Sequence, residues 1–504
     1  MNSGVSLSDS YPLSEEYHKA AYLLLWVLII AITAWNSEGW LQPDEHARVL
    51  EPAHFIAYGY ASLPWELTVE APMVSWLLGV MVSPLLMVTK YFHMDGLSEA
   101  ALARFIVGMI ASSRFIALWD IMRRLSLKSS RRFFYLMVMM VGVYGPLFLV
   151  RTSQETFAGT ALIWAFYWAL RIEYDGFTNA RAFGFAVLLA FVASARPQVG
   201  IAAACLGFWM LWRQGPKIIL PAVLALLIGL LPLAIVDYQA TGMPFRPAIN
   251  YYHYALGDEN GGRVWGTSPW WYYIQQYFEA WYPPLSPLLL IPLAAGLMAV
   301  PSLATVVVPF TIAHFVLGHK ETRYFSPMIP FLQLCMFKGI EIWEMRSPLV
   351  ARVTSAAKFW RRTLKFVACL TLVAGLLPLN SSPWMYEEIG RHVRAGTIVN
   401  FTYIGNTMTG FSQFYAKVPT VPAYKQISWN DVEQGRETPS GWLAFYALDP
   451  EDFRIIEKKC GTEGYHRFPD WYIDALALMP RSPARRRVNP IVYCSKPLRF
   501  NSAN

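Results

Sequence analysis

The stretch KAAYLLLWVLIIAITAW, residues 19–35, indicates the class of this protein. It approaches the ~20 apolar residues that an α-helix needs to cross a bilayer. One such run is also typical of a buried helix in a soluble core, but a long series of them is not. Ten more follow in the 504-residue chain, at 100–121, 133–150, 155–171, 181–195, 198–213, 217–236, 285–300, 302–318, 326–343 and 363–379. The sequence therefore predicts an all-α polytopic membrane protein.

The composition points the same way. Apolar residue types make up 55% of the chain and charged types 15%, whereas soluble chains carry about 25% charged residues. This balance excludes a disordered chain and a small disulfide scaffold, and it argues against an ordinary soluble enzyme. We attribute the net charge of +8 mainly to loops that orient the helices. No basic face with interleaved aromatic residues is evident, so we predict no nucleic-acid partner.

Three basic clusters orient the chain, because cytoplasmic loops are rich in Lys and Arg. They lie at 123–132, 213–217 and 346–362. All three are cytoplasmic if the apolar segment 73–91 does not cross the membrane. The loops 36–99, 237–284 and 319–325 then share the outer face. If 73–91 does cross, every later loop changes side, and we predict about 11–13 transmembrane helices in total.

The chain changes character after residue 380. Charged residues number 27 among the 124 that follow, against 49 in the first 380. Strand-like runs lie at 396–404, 441–447 and 489–494, with a helix pattern at 450–459. We therefore divide the chain into a transmembrane domain, 1–380, and a small soluble α/β domain on the outer face, 381–504. Cys460 and Cys494 both lie in that second domain, where the sequence leaves open a disulfide or two free thiols.

Acidic residues follow the first apolar run. Asp44 and Glu45 come directly after Pro43, which suits the first turn of a helix, and Glu51 and His54 would then share one helix face. Carboxylates held against a membrane surface are good proton acceptors. The same pattern is also typical of a capped helix start with a charged face.

A second polar cluster joins two apolar runs late in the chain. It contains His319, Lys320, Glu321 and Arg323 where a short turn would suffice. Ionisable groups at a membrane boundary are either interfacial anchors or functional. Lys320 and Arg323 suit an anionic phosphate, which arginine can bind in a bidentate manner, and Glu321 could orient them.

Together these residues resemble the signatures of glycosyltransferase family 22, the GT-C membrane mannosyltransferases that use dolichyl-phosphate-mannose. Members elongate the lipid-linked N-glycan precursor or the GPI anchor core. Family loops typically read His-Pro-Asp-Glu, where this chain has Gln42-Pro43-Asp44-Glu45. The late motif is usually His-Lys-Glu-x-Arg-Phe, and here Tyr324 precedes Phe325. Two further matches are Arg151-Thr152-Ser153-Gln154-Glu155, with Glu for the family's Asn, and Gly266-Thr267-Ser268-Pro269-Trp270-Trp271-Tyr272.

The resemblance, which covers about 40–330, implies a fold and a mechanism. The fold would be GT-C, and the reaction an inverting transfer from a polyprenyl-phosphate sugar to a lipid-linked glycan at the outer face. Asp44 would be the general base, and Glu45 would orient the acceptor or the base. Donor phosphate would contact His319, Lys320, Arg323 and Arg151. The remaining substrate-binding candidates are Glu51, His54, Glu321, Trp270, Trp271 and Tyr272, although the three aromatics also suit an interfacial belt. No metal or cofactor is required, because polyprenyl phosphate leaves as a stable anion.

Other functions remain open from the sequence. The sugar could be arabinose or aminoarabinose, as in bacterial GT-C enzymes. A lipid-linked sugar flippase or transporter would also be polytopic, but its charges should lie near mid-span rather than at one face. A non-catalytic subunit would tolerate substitution of Asp44. Compact loops slightly favour a bacterial inner membrane over the endoplasmic reticulum.

Overall fold

The computed structural model is described below for residues 12–40, 44–68, 70, 72–142, 145–256, 266–280, 286–355, 357–376, 382–393, 397–403, 412–419, 424–446, 448–462, 464–478 and 488–500. Twelve α-helices form the first half of these residues: α1 Pro12–Asn36, α2 Glu51–Tyr58, α3 Leu77–Tyr91, α4 Gly96–Ser112, α5 Arg114–Arg124, α6 Ser129–Val141, α7 Gly145–Leu149, α8 Gln154–Tyr174, α9 Asn179–Ala195, α10 Pro197–Gln214, α11 Ile219–Thr241 and α12 Arg246–Leu256. A π-helical turn, His46–Leu50, precedes α2. Short 3-10 helices lie at Trp65–Leu67 and Gly215–Ile218.

Helices also dominate up to residue 392. They are Tyr272–Ala280, Ser286–Ala299, Pro301–Val316, Ile329–Arg346, Pro348–Ser355, Ala357–Leu376 and Ser382–His392, with a 3-10 helix at Thr322–Met328. Each predicted apolar run overlaps one or two of these helices. By length and composition, two helical stretches of the described chain are able to cross a membrane, Gly96–Arg124 and Pro197–Thr241. A third candidate is the pair Leu289–Ala299 and Pro301–Val316, which is bent by 118°. The number of spans, and whether 73–91 crosses, stay predictions.

Glycine allows one pair of helices to come into close contact. A Cβ added to Gly296 would lie 1.8 Å from the Cys335 carbonyl oxygen, and one added to Gly339 would lie 1.6 Å from that of Pro292. The helices Ser286–Ala299 and Ile329–Arg346 therefore touch backbone to backbone. Small residues at such contacts are typical of helix packing in membranes, where close van der Waals contact replaces the hydrophobic driving force.

A four-stranded mixed sheet lies near the C-terminus. Its order is β2-β1-β3-β4, with strands β1 Val399–Tyr403, β2 Tyr424–Ser428, β3 Gly441–Tyr446 and β4 Ile491–Cys494. Strand β1 pairs in parallel with β2 and β3, and β4 is antiparallel to β3. Helices in this part are Gln413–Ala416, Trp429–Glu433, Pro450–Cys460 and Asp470–Ala477. The predicted helix and three predicted strands are present, and β2 was missed. Cys460 and Cys494 form a disulfide between a helix and β4.

Candidate active site

The acidic motif lies at the start of a helix that contains a π turn. Residues 44 and 45 are helical, the π turn follows, and α2 continues to Tyr58, where Gly59 ends it at a φ of 87°. Pro52 has no N–H to bond the carbonyl four residues earlier, and its ring crowds that position. The wider π turn lies directly before this proline, and such turns are common at functional sites. It places Asp44 and Arg48 on one face.

Asp44 pairs with two arginines, one near in sequence and one distant. Its Oδ2 lies 3.0 Å from Arg48 Nη2 and 2.5 Å from Arg323 Nη2. Arg48 also contacts Glu66, with Nη2 2.6 Å from Oε1. Burial alone would raise the pKa of Asp44, but Arg48 and Arg323 outweigh it and hold this pKa below the ordinary aspartate range. Asp44 is therefore ionised at neutral pH.

Arg323 links the first motif to the second. Its Nε lies 2.9 Å from Glu321 Oε2 and 3.9 Å from Glu155 Oε1, and its side chain is 8% exposed. Glu155 also pairs with Arg196, at 3.1 Å from Oε1 to Nη2. The result is a network in which buried carboxylates and guanidinium groups alternate. Ions inside such a network are costly to separate, because each partner left behind is a buried unpaired charge.

Glu321 orients several neighbours. Tyr324 donates its hydroxyl to Glu321 Oε1 at 2.7 Å, and His319 Nε2 lies 3.2 Å from the same oxygen. Burial would raise the pKa of Glu321, but its contacts with His319, Arg323 and Tyr324 hold that pKa well below the ordinary glutamate range. The hydrogen bond to Glu321 raises the pKa of His319. Cationic character is therefore favoured at His319, beside Arg323.

Lys320 has a different environment from Arg323. It is 6% exposed, and its Nζ donates to the carbonyl oxygens of Ser268, at 3.2 Å, and of Leu317. No carboxylate pairs with Lys320 among the described residues, and burial lowers its pKa. A buried ammonium with only carbonyl partners is a natural contact for an incoming anion.

The aromatic stretch packs against this second motif. Ser268 N donates to the Gly318 carbonyl at 3.0 Å, and Tyr272 Oη lies 3.2 Å from Thr322 Oγ1. Trp270 and Trp271 are 59% and 50% exposed. The two tryptophan rings are thus available beside the charged residues, while Tyr272 is half-buried.

Two predicted residues are tied to the backbone near the end of α1. Arg151 is 1% exposed and donates to the carbonyl oxygens of Gly39 at 3.0 Å, Ser37 at 2.9 Å and Leu147 at 3.2 Å. Glu45 Oε2 lies 3.7 Å from Arg151 Nη1. Arg151 therefore holds the chain before the acidic motif in place, and three backbone carbonyls and the Ser37 hydroxyl already accept hydrogen bonds from its guanidinium.

Glu51 and His54 are buried rather than open to a substrate. Glu51 is 1% exposed, with Oε1 2.9 Å from His46 Nε2 and 2.6 Å from Ser412 Oγ. His54 is 0% exposed and stacks on Tyr58 at 4.2 Å, and burial lowers its pKa to about 2. The motif that carries these residues is thus fastened to the C-terminal segment around Ser412.

We expect the change Ser412→Ala to destabilise the protein by about 1–3 kcal/mol, because it leaves buried polar atoms of His46 and Glu51 with one partner fewer. Thermal unfolding of the purified protein measures this loss. A matched control is Ser440→Ala, which lies in the same C-terminal region and is exposed. Equal stability of both variants would show that the Ser412 contact contributes nothing to holding α2.

The structure brings most of the predicted residues to one place. Asp44, Arg323, Glu321 and His319 form a contact chain, with Lys320 and the aromatic stretch packed beside them, whereas Glu51 and His54 lie on the buried side of α2. The prediction gave no role in the site to four participants, Arg48, Glu66, Glu155 and Arg196. The spacing of Arg48 four residues after Asp44 is a helix-pair signal that could have identified it. Among the residues described, no group of His, Cys, Asp and Glu is arranged to hold a metal ion.

The fold is that of GT-C membrane proteins. The chain is similar to ArnT from Cupriavidus metallidurans bound to undecaprenyl phosphate, with a TM-score of 0.54, 11% identity and coverage of 94% of this chain and 98% of that one. The apo form of the same protein gives a TM-score of 0.53, with 10% identity and the same coverage. These similarities confirm the predicted fold class, a polytopic helical membrane protein with a small C-terminal α/β part.

The chain belongs to the Alg9-like mannosyltransferase family, whose profile matches residues 21–402. It is 26% identical over 347 residues to GPI mannosyltransferase 3 of Yarrowia lipolytica, covering 64% of this chain and 63% of the relative. It is 24% identical over 343 residues to GPI alpha-1,2-mannosyltransferase 3 of Bos taurus, covering 65% and 60%. The chain thus spans about three-fifths of the length of these curated relatives.

Proposed function

We propose that this protein transfers mannose from a polyprenyl-phosphate-mannose donor to a hydroxyl group of a lipid-linked glycan. The observation that carries the proposal is the contact between Asp44 and Arg323, which are 279 positions apart in the sequence. Asp44 Oδ2 lies 2.5 Å from Arg323 Nη2, so a carboxylate that can act as a base is next to a group that can bind an anion. Both residues lie within the matched family region, 21–402. A base and a phosphate site side by side are what a transfer from a phosphate-linked sugar needs.

The donor phosphate would bind between Lys320 and Arg323, with His319 beside them. Arg323 presents a guanidinium that suits a phosphate oxygen pair, and Lys320 offers a charge that no carboxylate neutralises in the described structure. The structure of ArnT holds undecaprenyl phosphate, which supports a lipid phosphate as donor in this fold. Trp270 and Trp271 would offer flat faces to the sugar. We do not place Arg151 among the phosphate contacts, since backbone carbonyls hold it.

The reaction would be a single inverting displacement. The acceptor oxygen forms a bond to the anomeric carbon of mannose, and the bond from that carbon to the phosphate oxygen breaks. Asp44 takes the proton of the acceptor hydroxyl, and the polyprenyl phosphate leaves with the electron pair as an anion. Lys320 and Arg323 stabilise the charge that develops on the leaving oxygen, which is typically the largest catalytic contribution of such groups.

Donor binding would also activate the base. In the free protein Asp44 is bound by Arg48 and Arg323, which makes it a weak proton acceptor. A donor phosphate competes with Asp44 for Arg323. As that ion pair loosens, the pKa of Asp44 rises toward the value of a partly desolvated carboxylate, and its ability to accept a proton increases. The base then becomes effective when the donor is in place.

The relatives support a choice of acceptor and of compartment. The curated relatives are GPI mannosyltransferases of a yeast and of cattle. We therefore propose a GPI-precursor glycan as acceptor, with an α-1,2 linkage as in the name of the bovine protein. Relatives from eukaryotes favour the membrane of the endoplasmic reticulum, with the site on its lumenal face, over the bacterial inner membrane that the compact loops had slightly favoured.

The test is transfer of labelled mannose by the purified full-length protein in detergent, from synthetic dolichyl-phosphate-mannose to a panel of mannosylated lipid acceptors. We expect product with a GPI-like acceptor and none with an N-glycan-like acceptor. Polyprenyl-phosphate-aminoarabinose serves as the matched donor control and should give no product. Transfer from that donor instead would overturn the choice of sugar. After reconstitution into vesicles, movement of the donor across the bilayer without transfer would favour the transporter.

The pH dependence should separate the free protein from its donor complex. Because the pKa of Asp44 is lowered in the free protein, kcat/KM for the donor should keep its value as the pH falls to ~3.9, the ordinary aspartate pKa. The acid limb of kcat reports the complex, where phosphate draws Arg323 away, and it should lie at higher pH. Rate profiles at saturating and subsaturating donor measure both limbs. Superimposable limbs would mean that the donor leaves the Asp44 contacts unchanged.

A further inference from the structure

A second charged site lies apart from the residues around Asp44. It is a cleft of about 190 Å³ where α1 ends and α4 begins, closed by the helix Ser382–His392 and by one residue of the C-terminal part. Three carboxylates and three guanidinium groups line it: Glu38, Asp95, Arg104, Glu387, Arg391 and Arg467. None of these residues takes part in the contacts of the proposed active site.

Two of the three arginines are neutralised by neighbours. Arg467 makes a bidentate contact with Glu38, with Nη2 2.7 Å from Oε1 and Nε 3.0 Å from Oε2. Arg391 pairs with Glu387 and, at 2.6 Å, with Glu388. These pairs involve four of the six charged residues that line the cleft. The other two are Arg104 and Asp95.

Arg104 is a buried cation without a counter-ion. Its residue is 4% exposed, and its Nε donates to the Ala34 carbonyl near the end of α1 at 2.7 Å. Within the described part of the chain no carboxylate pairs with this guanidinium. Its terminal N–H groups are therefore left to the cleft that the residue lines. A buried unpaired charge is costly, so this arrangement calls for an anion.

Asp95 is the matching anion. Its carboxylate accepts hydrogen bonds from the backbone N and the Oγ of Ser98, both at 2.8 Å, and so caps α4. No cation pairs with Asp95 in the portions of the chain given above. The cleft thus presents a buried cation, Arg104, and an exposed carboxylate, Asp95, and neither has an ion-pair partner among the described residues. A ligand that carries a phosphate and an ammonium in one short group would satisfy both.

The cleft lies at the end of the apolar helix α1. Trp35, which also lines it, is 60% exposed on the last turns of α1. Exposed tryptophan at the end of a transmembrane helix is typical of the headgroup layer. The other wall begins α4, part of a helical stretch long and apolar enough to cross the bilayer. The cleft therefore lies at the depth of the lipid headgroups, whose phosphates can reach it.

We propose that this cleft binds the headgroup of a membrane phospholipid that carries a primary ammonium, of the phosphatidylethanolamine type. Arg104 donates to the phosphate, and Asp95 accepts from the ammonium. The bound lipid then joins the ends of α1 and α4 to the C-terminal part of the chain. Binding does not depend on mannosyl transfer, so it can be tested whether or not the proposed reaction is correct.

The experiment is native mass spectrometry of the full-length protein in detergent with equal amounts of phosphatidylethanolamine and phosphatidylglycerol, which has the phosphate but no ammonium. We expect the wild type to hold the ethanolamine lipid about tenfold better, the order expected for one hydrogen bond to a charged group. Asp95→Asn retains a capping side chain and should remove this preference. Arg104→Gln should weaken both lipids about tenfold. Arg123→Gln, at the other end of the same helical stretch, should change nothing.

Two results would overturn the proposal. The first is unchanged affinity for both lipids in Arg104→Gln together with unchanged lipid selectivity in Asp95→Asn. The second is protection of the lipid-free wild type against thermal unfolding by inorganic phosphate, equal to that by the ethanolamine lipid, which would make the ligand a free anion. If Arg104→Gln fails to fold, Asp95→Asn decides the question alone, because it keeps the helix cap and removes only the charge.

Discussion

The variant Asp44→Asn is expected to lose mannosyl transfer by a factor of about 10²–10⁴ in kcat, the usual contribution of a positioned general base. Asparagine has nearly the same shape, and it still accepts hydrogen bonds from Arg48 and Arg323. It cannot take the proton of the acceptor hydroxyl. The loss should therefore appear in kcat, with the KM for the donor changed much less, since a phosphate can still reach Arg323 and Lys320. Initial rates over a range of donor concentrations measure the two parameters separately.

The matched control for this variant is Asp120→Asn. Asp120 also pairs with two arginines, at 2.6 Å to Arg123 and 2.5 Å to Arg124, but it lies outside the site. The Asp120→Asn variant shows how much activity the protein loses when a carboxylate that pairs with two arginines is removed elsewhere. Full activity of the Asp44 variant would show that the base is elsewhere, and Glu45 would be the next residue to replace. Equal losses in both variants would mean that the effect at Asp44 is structural.

Sequence and structure agree most closely on the apolar helices and least on the contacts between motifs. A bilayer-length apolar run has few conformations besides a helix, so the helices could be predicted from length and hydropathy. Strand β2, with the sequence YKQIS, is short and lies at an edge of the sheet, and Ile427 is the one residue in the core among those of its side chains that the structure describes. Periodicity therefore gave no signal for it.

The members of the candidate site could be named from the sequence, but their pairing could not. Nothing in the sequence says that Arg323 contacts Asp44, because the two lie 279 positions apart. Arg196 precedes a proline between two apolar runs, and a charge there is itself a functional signal. Ser412 gave no signal at all. Its role depends on how the C-terminal segment packs against His46 and Glu51, which is a property of the fold.

The other large effect is expected at Arg323. The variant Arg323→Gln removes a cation that contacts three carboxylates, those of Asp44, Glu155 and Glu321. Breaking one such buried set costs about 3–5 kcal/mol of folding free energy. In the protein that still folds, the positive charge that stabilises the leaving phosphate is missing, and kcat should fall by a factor of about 10²–10³. The KM for the donor should rise at the same time, because the phosphate contact also contributes to binding.

A binding measurement separates the two roles of Arg323. Polyprenyl phosphate without sugar should inhibit the wild type. Its inhibition constant for the folded fraction of Arg323→Gln should be higher by a factor of about ten or more, because a hydrogen bond to a charged group contributes about 1.5–3 kcal/mol. Arg323→Lys keeps the charge but loses the bidentate geometry, so it should fall between them. Arg213→Gln, which loses an ion pair with Glu173 and a ring contact with Trp209 outside the site, should behave as wild type. If polyprenyl phosphate inhibits the glutamine variant as well as it does the wild type, Arg323 holds the site together without touching the donor. The phosphate would then have to be assigned to Lys320 and His319.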